Sequence, residues 1–273
     1  MAQTLTEIRK LLDDFGLRPK KRYGQNFLHD GNMMRKIIHA AQIRPGELVL
    51  EVGPGTGALT GRILNEGADV IAVEVDQDFE PLLRCQFSTY SDSLWLIFED
   101  ILSSKHQLNT NVMDLIGSRP FKLIANLPYS VASPLLANLA AYFTNMSVAL
   151  VMVQQEVAER LTSQPRSKNY GPLGIMIQAM CDVQRITTLP PSCFWPVPKV
   201  NSALIKLTRR PNPLTNQPHR LESGLQTLFS KRRKQLGSIL RYHESWPEEI
   251  SPRMRPEELT VQQIISLFCC TED

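Results

Sequence analysis

The sequence predicts an open α/β sheet with helices on its faces, followed by a small all-helical segment. Apolar runs rich in β-branched residues alternate with amphipathic patterns between about residue 48 and residue 161. The first run, Leu48 to Val52, ends at once in Gly53-Pro54-Gly55-Thr56-Gly57, as a buried strand does when it turns straight into a helix. Beyond the proline-rich stretch Pro211 to Pro218 only helical patterns occur, so residues 1–210 and residues 211–273 are expected to form two domains.

Taken in order, Thr4 to Phe15 carries Leu5, Ile8, Leu11 and Leu12 at helical spacing, and Gly16 ends the helix. Arg18 to Leu28 is dense in basic, amide and aromatic side chains and suits either a nucleic-acid contact or a ligand lid. A helix from Asn32 to Ile43 stops at Pro45-Gly46. Strands are expected at Leu48–Val52, Val70–Val75, Leu94–Phe98, Phe121–Ala125 and Val148–Gln154, with helices at Ala58–Glu66, Phe79–Phe87 and from Glu156 to Leu161. A helix over Leu173–Met180 precedes two further runs of strand character, Val183–Thr188 and Ser202–Leu207. The stretch between them, Leu189 to Val200, holds too many prolines for a central strand. Helices over about Arg220–Tyr242 and Glu257–Phe268 complete the chain.

No apolar run reaches the length of a membrane span, and the N-terminus lacks the zones of a signal peptide. The five cysteines show neither a Cys-x-x-Cys spacing nor histidines at ligand intervals, so no structural metal is expected and the reducing cytoplasm is the expected compartment. The net charge is only +3, but it is unevenly placed: Arg185 to Arg241 holds eleven Lys or Arg against the single acid Glu222. Clustered positive charge of this kind grips a polyanion.

Open α/β sheets bind ligands beyond the carboxyl ends of their strands, and Gly53, Glu74, Asp100 and Asn126 all fall there. Two ligand classes fit the glycine junction. Gly53-x-Gly55-x-x-Ala58 satisfies the dinucleotide fingerprint, which seats a pyrophosphate on a helix N-terminus. Glu51-x-Gly53-x-Gly55-x-Gly57 instead matches an S-adenosylmethionine loop, whose acid suits an ammonium or sulfonium and would repel a pyrophosphate. Glu74 is placed to bind ribose hydroxyls, and Asp100 to accept a hydrogen bond from the cofactor's adenine amino group.

Asn126-Leu127-Pro128-Tyr129 answers a chemical difficulty. The lone pair of an exocyclic amine is delocalised into its ring, which makes the nitrogen a poor nucleophile. The Asn126 amide oxygen and the Leu127 carbonyl can accept its hydrogens and favour a tetrahedral nitrogen. Pro128 stiffens the turn, and Tyr129 offers a stacking face. Phe194, in its proline frame, is the candidate second face around a flipped base. Lys231, Arg232, Arg233 and Lys234, expected inside a helix, would hold phosphates.

Together these motifs resemble the small-subunit ribosomal RNA adenine N6-dimethyltransferases of the KsgA type. The resemblance runs over nearly the whole chain: Gly24 to Leu28, Glu51 to Gly57, Glu74-Val75-Asp76, Glu99-Asp100, Asn126 to Tyr129, Phe194-x-Pro196-x-Pro198-x-Val200 and Phe229-x-x-Arg232-Arg233-Lys234. It implies a Rossmann-like methyltransferase sheet with a C-terminal helical rRNA-binding domain. It also implies dimethylation of two adjacent adenosines near the 3′ end of small-subunit rRNA, within a pre-30S particle, by a monomer using S-adenosylmethionine. By family position Asn26, Leu28 (through its backbone), Gly53, Gly55, Glu74, Asp100 and Asn126 would contact the cofactor, and Tyr129 and Phe194 would sandwich the adenine. Gln235 and Ser238 depart from the Thr and Asn common in the family. The alternatives left open are a large-subunit rRNA methyltransferase of the macrolide-resistance type, a non-catalytic nucleic-acid-binding protein on the same scaffold, and a nicotinamide dehydrogenase.

Overall fold

The computed structural model describes residues 3–104, 107–241 and 246–269. Thr4 and Glu7 form a capping box that starts helix α1 (Leu5–Asp14), and a two-residue strand β1 (Phe27–Leu28) precedes α2 (Gly31–Ala41), capped by Asp30. Then come β2 (Leu48–Val52), α3 (Ala58–Asn65), β3 (Asp69–Val73), α4 (Glu80–Gln86) and β4 (Leu94–Ile97). A small hairpin, β5 (Leu102–Ser104) and β6 (Gln107–Leu108), leads to α5 (Thr110–Ile116). The chain continues through β7 (Phe121–Asn126), α6 (Ala132–Tyr142), β8 (Met146–Gln154), α7 (Gln155–Leu161), α8 (Pro172–Met180) and β9 (Cys181–Leu189). It closes with β10 (Phe194–Trp195), β11 (Ser202–Arg209), α9 (Pro218–Phe229), α10 (Leu236–Ile239) and α11 (Val261–Phe268).

Seven strands form one sheet in the order β4-β3-β2-β7-β8-β11-β9. The strands β4 to β8 run parallel, and β11 inserts antiparallel between β8 and β9. The order reverses between β2 and β7, so their carboxyl ends open a crevice, the usual ligand site of a doubly wound sheet. Every strand expected in the sheet is present, within two residues of its expected ends.

Several elements differ from expectation, among them the helix expected over Glu257–Phe268, which starts only at Val261. Helices α5 and α6 went unassigned: the first is a seven-residue helix between strands, and the second is apolar nearly all round, without the stripe that marks an amphipathic helix. In the C-terminal segment, the helix expected over Arg220–Tyr242 ends at Phe229, and α10 starts at Leu236 after a turn. Lys231 to Lys234 therefore sit in that turn, and Tyr242 lies outside the described residues.

The described residues of the C-terminal segment do not keep a separate interior. Leu221, Leu225 and Leu228, at i, i+4 and i+7 of α9, join one apolar cluster with Leu135 and Leu139 of α6 and Ile175 of α8. Tyr170, 1 % exposed, reaches from the sheet domain to donate its hydroxyl to Leu259 O at 2.8 Å. Tyr142 of α6 likewise donates to Glu222 Oε2 of α9 at 2.6 Å, with its ring 4.6 Å from that of His219. Among the described residues no helix is long and apolar enough to cross a membrane.

Candidate active site

A cavity of about 310 Å³ opens where β2, β3, β4 and β7 end. Its floor is the glycine hairpin, in which Gly53, Gly55 and Gly57 all take positive φ (75°, 54° and 75°). A side chain at Gly55 would be strained by that φ and would meet the Phe27 ring at 2.8 Å, so the hairpin fits only glycine beneath β1. The N-terminal segment supplies one wall, Tyr23 to Leu28, and is tied down at both ends. Lys20 Nζ pairs with Asp76 Oδ1 at 2.7 Å, Gln25 Nε2 donates to Asp76 Oδ2 at 2.8 Å, and Gln3 bonds to Thr56 through both amide atoms. Of the residues between Arg18 and Leu28, Tyr23 to Leu28 thus lie against the glycine hairpin as a wall of the cavity.

Four carboxylates line the cavity, Glu51, Glu74, Glu99 and Asp100, and no Lys or Arg is among its described lining residues. A pyrophosphate would meet an acidic wall with no Lys or Arg described in it to offset its charge. A cation without phosphate fits. Glu74, 5 % exposed, accepts the N–H groups of Gly55 at 3.1 Å and Asp76 at 3.0 Å, one on each oxygen, and each oxygen keeps a free lone pair for a hydroxyl. Burial raises its pKa against the pull of those two N–H groups. Asp100 is exposed and lines the cavity, and its Oδ1 accepts Leu102 N–H at 2.9 Å, so it stabilises a turn and keeps Oδ2 as a further acceptor.

Glu51 belongs to the site, although the motif reading used it only to choose between ligand classes. It is 1 % exposed, holds the Thr60 hydroxyl at 2.6 Å, and burial pushes its pKa up to about 8. The signal was present: an acid within an otherwise apolar strand has no cheap place in a core. Its raised pKa has a stability consequence. Between pH 4.5 and about 8 the unfolded chain has released a proton that folded Glu51 retains, so this group's contribution falls as pH rises through that window. Glu51→Gln keeps an acceptor for Thr60 and removes the titration. It is expected to raise the melting temperature of the ligand-free protein by about 5 °C or more at pH 8 and by much less at pH 5. An equal shift at both pH values in thermal melts would refute this.

Asn126 ends β7 and lines the cavity, its Nδ2 donating to the Asn26 carbonyl of the lid at 2.8 Å. Because both hydrogens are on Nδ2, that bond leaves Oδ1 as an acceptor toward the cavity. Asn26 is fixed in turn by its own side chain, which donates to Gly24 O at 3.0 Å. Leu28 and Pro128 are lining residues, while Leu127 is buried and has only its backbone to offer. Tyr129 is half-buried and does not belong to the cavity wall.

Two expectations are corrected. Phe194 was expected to present a stacking face; it is 2 % exposed, paired with Leu28 across the β1–β10 ribbon and packed in an apolar cluster. Arg232 was expected to contact phosphate along with its neighbours. Its guanidinium instead joins Glu257 Oε2 at 2.7 Å, Lys168 O at 2.8 Å and Ser167 O at 2.9 Å, stapling the turn to two loops. Lys231, Arg233 and Lys234 are exposed beside it, with Arg166 and Lys168 across the same cleft.

Residues 16–272 match the family described as ribosomal RNA adenine dimethylase. The chain belongs to that family. It is 36% identical over 259 residues to the ribosomal RNA small subunit methyltransferase A of a Sulfurihydrogenibium species, covering 94% of this chain and 98% of that protein. It is 38% identical over 271 residues to the protein of the same name from Phenylobacterium zucineum, covering 97% and 92%. Among solved structures it resembles a dimethyladenosine transferase from Plasmodium falciparum, with TM-score 0.71, 24% identity and coverage of 88% and 95%. It also resembles the 23S rRNA methyltransferase ErmE, with TM-score 0.66, 24% identity and coverage of 89% and 98%. The dimethylase family member thus has the Rossmann-like methyltransferase fold expected of its strand order.

Proposed function

We propose that this chain is an S-adenosylmethionine-dependent rRNA adenine N6,N6-dimethyltransferase that acts on two adjacent adenosines near the 3′ end of small-subunit rRNA. The observation that carries the donor assignment is the cavity lined by four carboxylates and no cation, which favours a sulfonium and an ammonium over a pyrophosphate. When bound, S-adenosylmethionine supplies a methyl group on a positively charged sulfur. Glu74 would hold ribose hydroxyls on its two free lone pairs, and Asp100 Oδ2 would accept the adenine amino group. Asn26 and Leu28, with Gly53 and Gly55, would bound the methionine and adenosine parts through the backbone.

The acceptor amine is activated without a strong base. Asn126 Oδ1 and the Leu127 carbonyl take hydrogen bonds from its N–H groups, so that the lone pair leaves conjugation as the new N–C bond forms. The displaced proton then passes to solvent. Pro128 fixes the turn, and Tyr129 supplies one stacking face. Phe194 can supply the second only if the β1–β10 ribbon moves, since its ring is enclosed by that ribbon here. Lys231, Arg233 and Lys234 would hold the rRNA backbone, with Arg232 as their support. Cytoplasmic pre-30S particles are the proposed setting.

The test is incorporation of labelled methyl from S-adenosylmethionine into small ribosomal subunits lacking this modification, followed by mapping of the modified nucleotides. Dimethylation at two neighbouring adenosines near the 3′ end is the expected result. Label found only in large-subunit rRNA would favour the macrolide-resistance activity, and no label in either would leave a binding protein.

A further inference from the structure

We infer that Asn109 is a positioning residue for the adenine end of the donor cavity, acting through the Glu99–Asp100 corner. The inference rests on the reading of that cavity as an S-adenosylmethionine site. Asn109 stands at the start of α5, outside the cavity, and only 9 % of its surface is exposed. Its Oδ1 accepts the N–H groups of Asn111 at 2.9 Å and Val112 at 3.4 Å, which caps the helix.

A cap needs only that oxygen. The other half of the amide is spent on the cavity wall: Nδ2 donates to Glu99 Oε2 at 2.6 Å and to the Asp100 carbonyl at 3.1 Å. The Asn109 backbone N–H adds a bond to Ile101 O at 2.9 Å, and Asn111 Nδ2 donates to Glu99 Oε1 at 2.9 Å. Four bonds from two neighbouring residues thus fasten the segment that follows β4. That corner carries two exposed carboxylates, Glu99 and Asp100, between β4 and the buried Ile101, and the Asn109 amide joins the Leu102 N–H in fixing how Asp100 is presented.

The choice of amides matters as much as their number. A Lys or Arg could hold Glu99 as firmly, but it would cancel charge in a wall that faces a cation and accepts an amino group. Neutral donors orient the corner without adding a positive charge to it. Asp100 is then a fixed acceptor for one donor, the 6-amino group of the purine, and the specificity for that group depends on Asn109.

Equilibrium binding of S-adenosylhomocysteine and of its analogue lacking the purine 6-amino group tests this. Wild type is expected to prefer the amino form by about tenfold or more, the worth of a hydrogen bond to a charged acceptor. Asn109→Ser and Asn109→Asp keep a capping oxygen and lose the amide donors; each is expected to bring the preference toward unity, and Asn109→Ser to add nothing in an Asp100→Ala background. A purely structural role would lower the melting temperature and weaken both ligands together, leaving the ratio at its wild-type value; that outcome in the folded variants overturns the inference. A wild type that binds both ligands without preference overturns it as well. A wild type that binds neither removes the donor reading itself, and this inference with it.

Discussion

Asn126→Ala is expected to slow methyl transfer by about 10²- to 10³-fold or more while S-adenosylhomocysteine still binds within about tenfold of wild type. The separation follows from where the bonds lie. The groups assigned to the donor are Glu74, Asp100, the glycine hairpin and the backbone of Asn26 and Leu28, and of these only the Asn26 carbonyl touches the Asn126 side chain, where it accepts from Nδ2. What the substitution removes is an amide held in position: Nδ2 is engaged with Asn26 O, which leaves Oδ1 as the acceptor proposed above for the amine. A preorganised acceptor needs no reorientation as charge develops, and it is worth most in the transition state. Single-turnover rates with saturating donor, compared with equilibrium binding, provide the check. Transfer at the wild-type rate would show that the amine is activated by something else.

The second large effect is expected in the salt dependence of rRNA binding. Replacing Lys231, Arg233 and Lys234 together with Ala should lower the magnitude of the slope of log K against log[salt] by about 2 to 3, the loss of three phosphate contacts. Arg232→Ala should behave differently. It leaves Glu257 and the carbonyls of Ser167 and Lys168 without their shared donor, so its expected signature is a loss of about 1–3 kcal/mol in stability. Its slope at temperatures where the variant is folded should stay near wild type. Binding titrations across a salt series, with melts of each variant, separate the two. A triple variant with an unchanged slope would make those cations ordinary solvated surface.

The contrast between Arg232 and its neighbours shows where a linear reading stops. Periodicity located the strands because a strand buried on both faces needs a nearly continuous apolar run, and β2, β3 and β7 have one, interrupted only by Glu51 in β2 and Lys122 in β7. The glycine hairpin and Asn126 were legible for a related reason: each is a residue type with a narrow use, placed where the sheet opens. Four consecutive cations carry no such mark to distinguish the one that turns inward, since that depends on Glu257 and on two loop carbonyls distant in sequence. The burial of Phe194 is hidden in the same way, because it is decided by pairing with Leu28, 166 positions earlier. Nothing in the spacing of Asn109 separates it from an ordinary helix cap, and Glu51 is legible only as the acid of the glycine motif.

The apolar interior that crosses residue 211 bears on how the protein can come apart. Leu221, Leu225 and Leu228 complete the packing of α6 and α8, and Tyr170 and Tyr142 lock the join with hydroxyls. The described residues on either side of the break therefore share one apolar interior. Cutting at the proline-rich break would strip that interior rather than free an independent module, so neither half can be lent intact to another fusion partner.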